Sequence, residues 1–365
     1  MSGKNFADML LDAVEEKKNP SVVGLDPRIE TIPKECWSSQ WSNYDKRTAD
    51  VIFNFNKKII DAIKDVVPAV KPNIAFYELY GAEGIRAFNE TVKYAQGEKL
   101  MVIADAKRND IGSTAEAYSS AFLGKKKCLS DSSELVEIPG FECDSLTVNA
   151  YLGIDGVKPF IEDSKKYGKG LFALVKTSNK SSGDFQDEPV ILDKNDCETI
   201  LKRTKGTEFG EYKKMVMDSL PKERMVPLGI NTELVYPRIV PNYIKMALNV
   251  SRWGEGTDGE YGYQIIGAVV GATYPREAEL LRKMMPKNIF LVPGYGAQGG
   301  GAKEVVPSFN KDGKGAIVNS SRGIIFAYLD NKYKGYSFDG AAHQAALDMK
   351  SDITTALRDA GRGSW

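Results

Sequence analysis

The stretch Leu100–Thr114, LMVIADAKRNDIGST, decides the fold. Leu100 to Ala104 is an unbroken apolar run with β-branched residues at its centre, the pattern of a strand buried on both faces in a parallel sheet. The run ends in charge, at Asp105, Lys107 and Asp110. Residues two apart on a strand share a face, so Asp105 and Lys107 are expected side by side. Gly112 then breaks the chain, and Ser113 with Glu116 predicts a capping box at a helix start. Charges at the carboxyl end of a buried strand are costly unless paired or used. A structural salt bridge is one reading of them. A second segment, Val67–Asn73 (VPAVKPN), favours a functional one, because it too is an apolar strand ending in a charge, Lys71. Two lysines and two aspartates at strand ends can alternate in an array that a core does not need, since buried ion networks are near break-even in stability.

The flanking sequence repeats the theme. Ser21–Leu25 (SVVGL) is a short strand ending at Asp26. Helical periodicity covers about 45–66, carried by Val51, Ile52, Phe55, Ile59, Ile60 and Ile63, and again about 78–94. Further apolar strands read at 144–150, 169–176, 264–270, 288–292 and 315–319, with helical patterns at 156–167, 275–285 and 341–357. Eight strands alternating with helices predict an α/β fold, a (β/α)8 TIM barrel first and a doubly wound sheet second. In such a barrel the active groups sit at the carboxyl ends of different strands, where Asp26, Lys71, Asp105, Lys107 and Arg322 fall. The link from strand five to strand six, 177–263, exceeds an ordinary crossover. We expect one barrel domain over residues 1–365 with an enlarged insertion between strands five and six, at about 179–260.

Lysine plus arginine equals aspartate plus glutamate, 49 each in 365 residues. No net field favours nucleic acid or an anionic membrane. Cys36, Cys128, Cys143 and Cys197 lack C-x-x-C spacing and suit free thiols in a reducing compartment. The one histidine, His343, argues against a histidine-rich metal site and a Ser-His triad. Phe6, Met9, Leu10, Ala13 and Val14 predict an amphipathic surface helix rather than a secretory leader. The apolar run at 265–272 is too short to span a bilayer. A cytoplasmic, soluble protein is expected.

After strand seven comes PGYGAQGGG, Pro293–Gly301, whose glycines let backbone N–H groups approach an anion. Strand eight ends in Asn319-Ser-Ser-Arg322-Gly323. There an arginine and a helix N-terminus can hold phosphate, although Arg322 alone also fits a rim residue. The loops after strands seven and eight form a recurrent phosphate site in these barrels.

Asp105-Ala-Lys107-Arg-Asn-Asp110-Ile111 resembles the D-x-K-x-x-D-I signature of orotidine 5'-phosphate decarboxylases. Gly24-Leu-Asp26-Pro-Arg28, Val70-Lys71-Pro-Asn73, Lys176-Thr-Ser178-Asn179, Pro293–Gly300 and Asn319–Gly323 support it in the family's order. D-x-K-x-x-D alone also occurs in sugar-phosphate enzymes on the same barrel. The resemblance implies decarboxylation of orotidine 5'-monophosphate in a homodimer with shared active sites and no cofactor or metal. Lys71, Asp105, Lys107 and the neighbouring subunit's Asp110 would form the charge array, with Ile111 and Thr114 also reaching the partner's site. Asp26 would bind a ribose hydroxyl with Lys71 and Asn73 nearby, Ser178 would hydrogen-bond the pyrimidine, and Pro293 would also contact the substrate. Gln298, Arg322 and the backbone at Gly323 would hold the phosphate. Rivals are a metal-dependent sugar-phosphate decarboxylase or epimerase, a Schiff-base aldolase and a non-catalytic phosphate-binding barrel. The first needs a carboxylate ligand where Lys71 stands. The second needs a neutral lysine, and flanking carboxylates keep Lys107 charged.

Overall fold

The computed structural model describes residues 4–37, 43–204, 208–220, 237–296 and 299–363. Eight parallel strands close into a barrel in chain order. They are β1 (Ser21–Leu25), β2 (Ala69–Pro72), β3 (Met101–Arg108), β4 (Ser145–Val148), β5 (Gly170–Lys176), β6 (Ile266–Val270), β7 (Phe290–Pro293) and β8 (Ala316–Ser320). Pairing of Ser21 with Val318 and of Val23 with Ser320 closes the ring. Every residue of β1, β2, β4, β6 and β8 is buried, which is why these strands read as continuous apolar runs without alternation.

The core has two parts. Inside the barrel lie Val22, Met101, Ile103, Phe172, Val269, Leu291 and Ile317. Outside it, the helices Tyr44–Ile63, Gly81–Gly97, Ile154–Tyr167, Pro275–Met284 and Phe338–Asp359 form the second layer. The N-terminal helix, Phe6–Lys17, is not a surface helix as its amphipathic pattern predicts. Its stripe of Phe6, Leu10, Leu11 and Val14 joins the barrel interior. Phe6 packs edge-on against Phe172 with ring centroids 5.9 Å apart. Gly170, the first residue of β5, makes room for it, since a Cβ there would lie 2.0 Å from the Phe6 ring. The helix thus stoppers the amino end of the barrel. Asp8, buried on the same helix, accepts the backbone N–H groups of Glu260 and Tyr261.

Several local expectations change. β3 does not stop at Ala104 but runs to Arg108, and its register slips. Ala104 pairs with Leu146 and Arg108 with Val148, so β3 advances four positions while β4 advances two. The Ser113 capping box is absent: the helix is Gly112–Phe122, Ile111 stands at its N-cap, and no side chain caps it. Gly112, at φ +54, turns the chain one residue earlier, leaving Ser113 already inside the helix. An antiparallel pair, Lys125–Leu129 with Leu135–Pro139, precedes β4. It was not expected, because its lysine-rich first strand has no apolar period.

Between β5 and β6 lie a short antiparallel pair, Pro189–Ile191 with Ile239–Pro241, and the helices Lys194–Arg203 and Glu208–Ser219. The helix Asn242–Trp253 then packs against β5 and β6, where a crossover helix belongs. The four cysteines are free thiols. Among the described residues no helix is long and apolar enough to cross a membrane.

Candidate active site

With the amino end filled, the barrel opens at the carboxyl ends of its strands into a cavity of about 480 Å³. Asp26, Lys71, Asn73, Asp105, Lys107, Ser178, Pro293 and Arg322 all line it. They come from β1, β2, β3, β5, β7 and β8 or the turns just beyond, so the topology alone gathers residues up to 296 positions apart in sequence (26 to 322).

Asp105 is the centre of the charge array. Lys71 donates to its Oδ2 at 2.6 Å and Lys107 to its Oδ1 at 2.5 Å. Thr147 of β4 donates to Oδ1 as well, at 3.0 Å, and accepts the backbone N–H of Lys107 at 2.9 Å. Lys71 and Asp105 are buried, whereas the Lys107 side chain is half exposed to the cavity. Burial pushes the Asp105 carboxyl up, but the ammonium groups of Lys71 and Lys107 outweigh it and hold the group well below the usual carboxylate range. Burial likewise opposes the charge on Lys71, and the carboxylates of Asp105 and Asp26 overcome it and raise its pKa.

The β3 bulge produces this geometry. Lys107 adopts φ +47, a left-handed conformation costing an L-residue about 1–2 kcal/mol. The kink folds the strand end back so that the Lys107 ammonium meets the carboxylate two residues earlier. Simple pleat alternation would place the two groups along one face. The bulge brings them into contact, and Thr147 pins both halves. Sequence reading missed Thr147, although a hydroxyl within an otherwise apolar buried strand was a signal.

At the other end of the cavity, the loop after β7 closes on itself. Gly296 N–H donates to Gly300 O, and Gly299 N–H to Gly296 O. Gly294, Gly296 and Gly299 have φ of +100, +75 and +92, conformations that require glycine. Gln298 lies outside the described residues. Arg322 is exposed at the rim, forms no ion pair among the described residues, and shares a shallow neighbouring depression with Gly323. The helix that begins at Arg322 spans four residues, ending at Ile325. Its dipole is therefore weaker than that of the longer helix the sequence suggested.

Asp110, Ile111 and Thr114 do not line this chain's cavity. Asp110 accepts the N–H of Ile111, and Ile111 is 54% exposed. Arg28, Asn179 and Asn319, which stand in the quoted motifs without an assigned role, also line the cavity, as does Gln186, which the sequence reading did not single out. Asp26 Oδ1 and Asn319 Oδ1 are buried and lack a hydrogen-bond partner among the described residues.

Residues 22–210 match the model of the Orotidine 5'-phosphate decarboxylase / HUMPS family. An orotidine 5'-phosphate decarboxylase of Caldicellulosiruptor bescii is 34% identical over 357 residues, covering 97% of this chain and 99% of its own. One from Rhodopirellula baltica is 38% identical over 352 residues, covering 95% and 98%. A crystal structure of a candidate orotidine-monophosphate-decarboxylase from Toxoplasma gondii superposes with a TM-score of 0.67 at 27% identity, covering 98% of this chain and 99% of that one. The barrel, the lysine–aspartate–lysine array at its open end and these full-length likenesses lead to one assignment: the chain belongs to the orotidine 5'-phosphate decarboxylase / HUMPS family.

Proposed function

We propose that the chain decarboxylates orotidine 5'-monophosphate to uridine 5'-monophosphate in pyrimidine synthesis, without a cofactor. The observation that carries this reading is the ionised Asp105 held between Lys71 and Lys107 in the cavity. Phosphate is assigned to Arg322, the backbone at Gly323 and Gln298. Ribose is assigned to Asp26, whose Oδ1 has no hydrogen-bond partner among the described residues, and to Asn73. Ser178 and Pro293 take the pyrimidine. In this reading C6 lies beside Asp105 and Lys107.

The C6–carboxylate bond then breaks heterolytically. CO₂ leaves, the electron pair stays on C6, and the Lys107 ammonium gives C6 its proton. Lys107 regains a proton from water. A carbanion at C6 has no π-system to delocalise it, so a preorganised cation is the means of stabilising it. Asp105 repels the substrate carboxylate, and the repulsion is relieved as CO₂ departs. Binding of the remote phosphate supplies free energy for aligning these charges.

The same reading makes the protein a two-fold homodimer in which Asp110, Ile111 and Thr114 enter the partner's cavity. It is supported by their position outside their own cavity. It is also supported by exposed Leu79, Tyr151, Leu152 and Ile154 beyond the ends of β2 and β4, on either side of β3. We further read the 365 residues as one barrel domain with residues at about 179–260 as an elaboration of its rim. A cytoplasmic location fits the free thiols.

The test is absorbance loss on mixing purified protein with orotidine 5'-monophosphate in excess chelator. Turnover is expected to survive. Activity abolished by chelation and restored by Mg²⁺ or Zn²⁺ would favour the metal-dependent sugar-phosphate class.

A further inference from the structure

Lys176 ends β5, next to the cavity, and is fully buried. Its Nζ lies 2.5 Å from Asp187 Oδ1 and 3.3 Å from Ser182 Oγ. The rings of Tyr274 and Tyr243 stand at 4.4 and 5.5 Å. A buried ammonium tolerates its desolvation only when paired, so this ion pair fastens residues 182–187 to the barrel. Gln186, immediately before Asp187, lines the cavity. Its side-chain carbonyl accepts the Thr177 N–H at 2.9 Å, and its amide donates to Thr177 Oγ1 at 2.8 Å. The Thr177 hydroxyl donates onward to Asn179 Oδ1 at 2.7 Å. A relay from Gln186 through Thr177 to Asn179 therefore straddles Ser178.

The far side of this turn is braced as well. Thr273 Oγ1 donates to Ser178 O at 3.3 Å, and the Tyr274 hydroxyl donates to Asn179 O at 3.2 Å. Tyr274 also accepts from Ser182 Oγ at 3.1 Å, joining the brace to the Lys176 cluster. Gly271 approaches so closely that a Cβ there would lie 2.8 Å from Ser178 Cα. Ser178 is thus held from both sides, and on one of them by a side chain that borders the cavity.

We infer that Gln186 is a positioning residue for substrate recognition: anchored by the Lys176–Asp187 ion pair, it holds the Thr177–Asn179 turn where Ser178 meets the pyrimidine. This rests on the assignment of Ser178 to the base. Apolar packing would suffice to brace a turn. Gln186 instead uses both ends of its amide on the residue before Ser178, and hydrogen bonds of this kind fix direction as well as distance.

The experiment measures binding of uridine 5'-monophosphate and of ribose 5-phosphate to the purified full chain, with unfolding midpoints recorded alongside. Gln186→Ala should weaken the nucleotide about tenfold and leave ribose 5-phosphate within about twofold. Because Gln186 acts through Ser178, the Ser178→Ala/Gln186→Ala double variant should bind the nucleotide no worse than the weaker single one. Equal losses for both ligands, or additive losses in the double variant, overturn the inference. If Ser178→Ala weakens the nucleotide and Gln186→Ala does not, the inference falls while the base assignment stands. If Ser178→Ala itself changes nothing, both fall. Should Gln186→Ala fail to fold, the isosteric Thr177→Val breaks the same relay: loss of discrimination between the two ligands supports the inference, and unchanged discrimination overturns it.

Discussion

Thr147 does for the charge array what no charged residue in it can do, fixing the Asp105 carboxylate and the strained Lys107 backbone with one hydroxyl. Thr147→Val keeps the volume and removes both hydrogen bonds, stranding a backbone N–H beside a carboxylate. We expect a stability loss of about 1–3 kcal/mol and a fall in kcat of at least about tenfold, with Thr147→Ser restoring most of each. Denaturant unfolding and steady-state kinetics measure the pair, and a silent Val variant would show that the bulge holds itself. The array's pH behaviour follows from its shifts. A carboxyl depressed on folding stabilises the protein above its ordinary value, about 4, and loses that contribution as pH falls towards the folded value. A raised lysine such as Lys71 stabilises below about 10 and loses its contribution as pH rises through the folded value. The stability advantage of wild type over Asp105→Asn should therefore shrink as pH falls below about 4, and an advantage unchanged down to about pH 2 would mean that the array does not hold Asp105 ionised. Asp105 and Lys107 were readable in sequence because charge recurs at a second strand end, Lys71, where a single salt bridge would account for only one pair. Thr147 was not, since its role exists only once β4 lies beside a bulge in β3, a register that no local pattern encodes.

The N-terminal helix shows how an element can be found and still be misplaced. Its periodicity identifies the apolar stripe, but a stripe is silent about what it covers, and here it covers the barrel's own interior. The short antiparallel pair at 125–139 went unread for the opposite reason: exposed along both strands except at half-buried Cys128, it carries no alternating burial pattern. The barrel strands were found because burial on both faces leaves a signature in composition, while most of their ends shifted by a residue or two and that of β3 by four, from Ala104 to Arg108. The helix's position predicts a separation of stability from activity. Phe6→Ala removes a buried ring from the floor, at the end remote from the cavity, and should cost about 3–5 kcal/mol while leaving kcat within about twofold below the unfolding transition. Unfolding curves and turnover on the same preparation test this. A large loss of kcat in protein that remains folded would mean that the floor sets the geometry at the mouth.

The whole molecule turns on where Asp110 works. In β3 the bulge spends its reach on Asp105 and Lys107, and the chain then leaves the cavity, so Asp110 and Ile111 end at the surface of their own barrel. If the neighbouring copy receives them, Lys107→Ala and Asp110→Ala should each be nearly inactive as homodimers, because every site lacks one charge. In a mixed dimer one site gathers both defects. The other takes Lys107 from one chain and Asp110 from its partner and is native. With random exchange in a closed two-fold dimer, about half the dimers are mixed and roughly a quarter of all sites are restored. Unfolding and refolding the two variants together should recover activity that neither shows alone, in proportion to the mixed species resolved by differential tagging. If mixed dimers form and stay as inactive as their parents, Asp110 acts within its own chain, and residues 110–114 must fold back over the cavity that they leave in this structure.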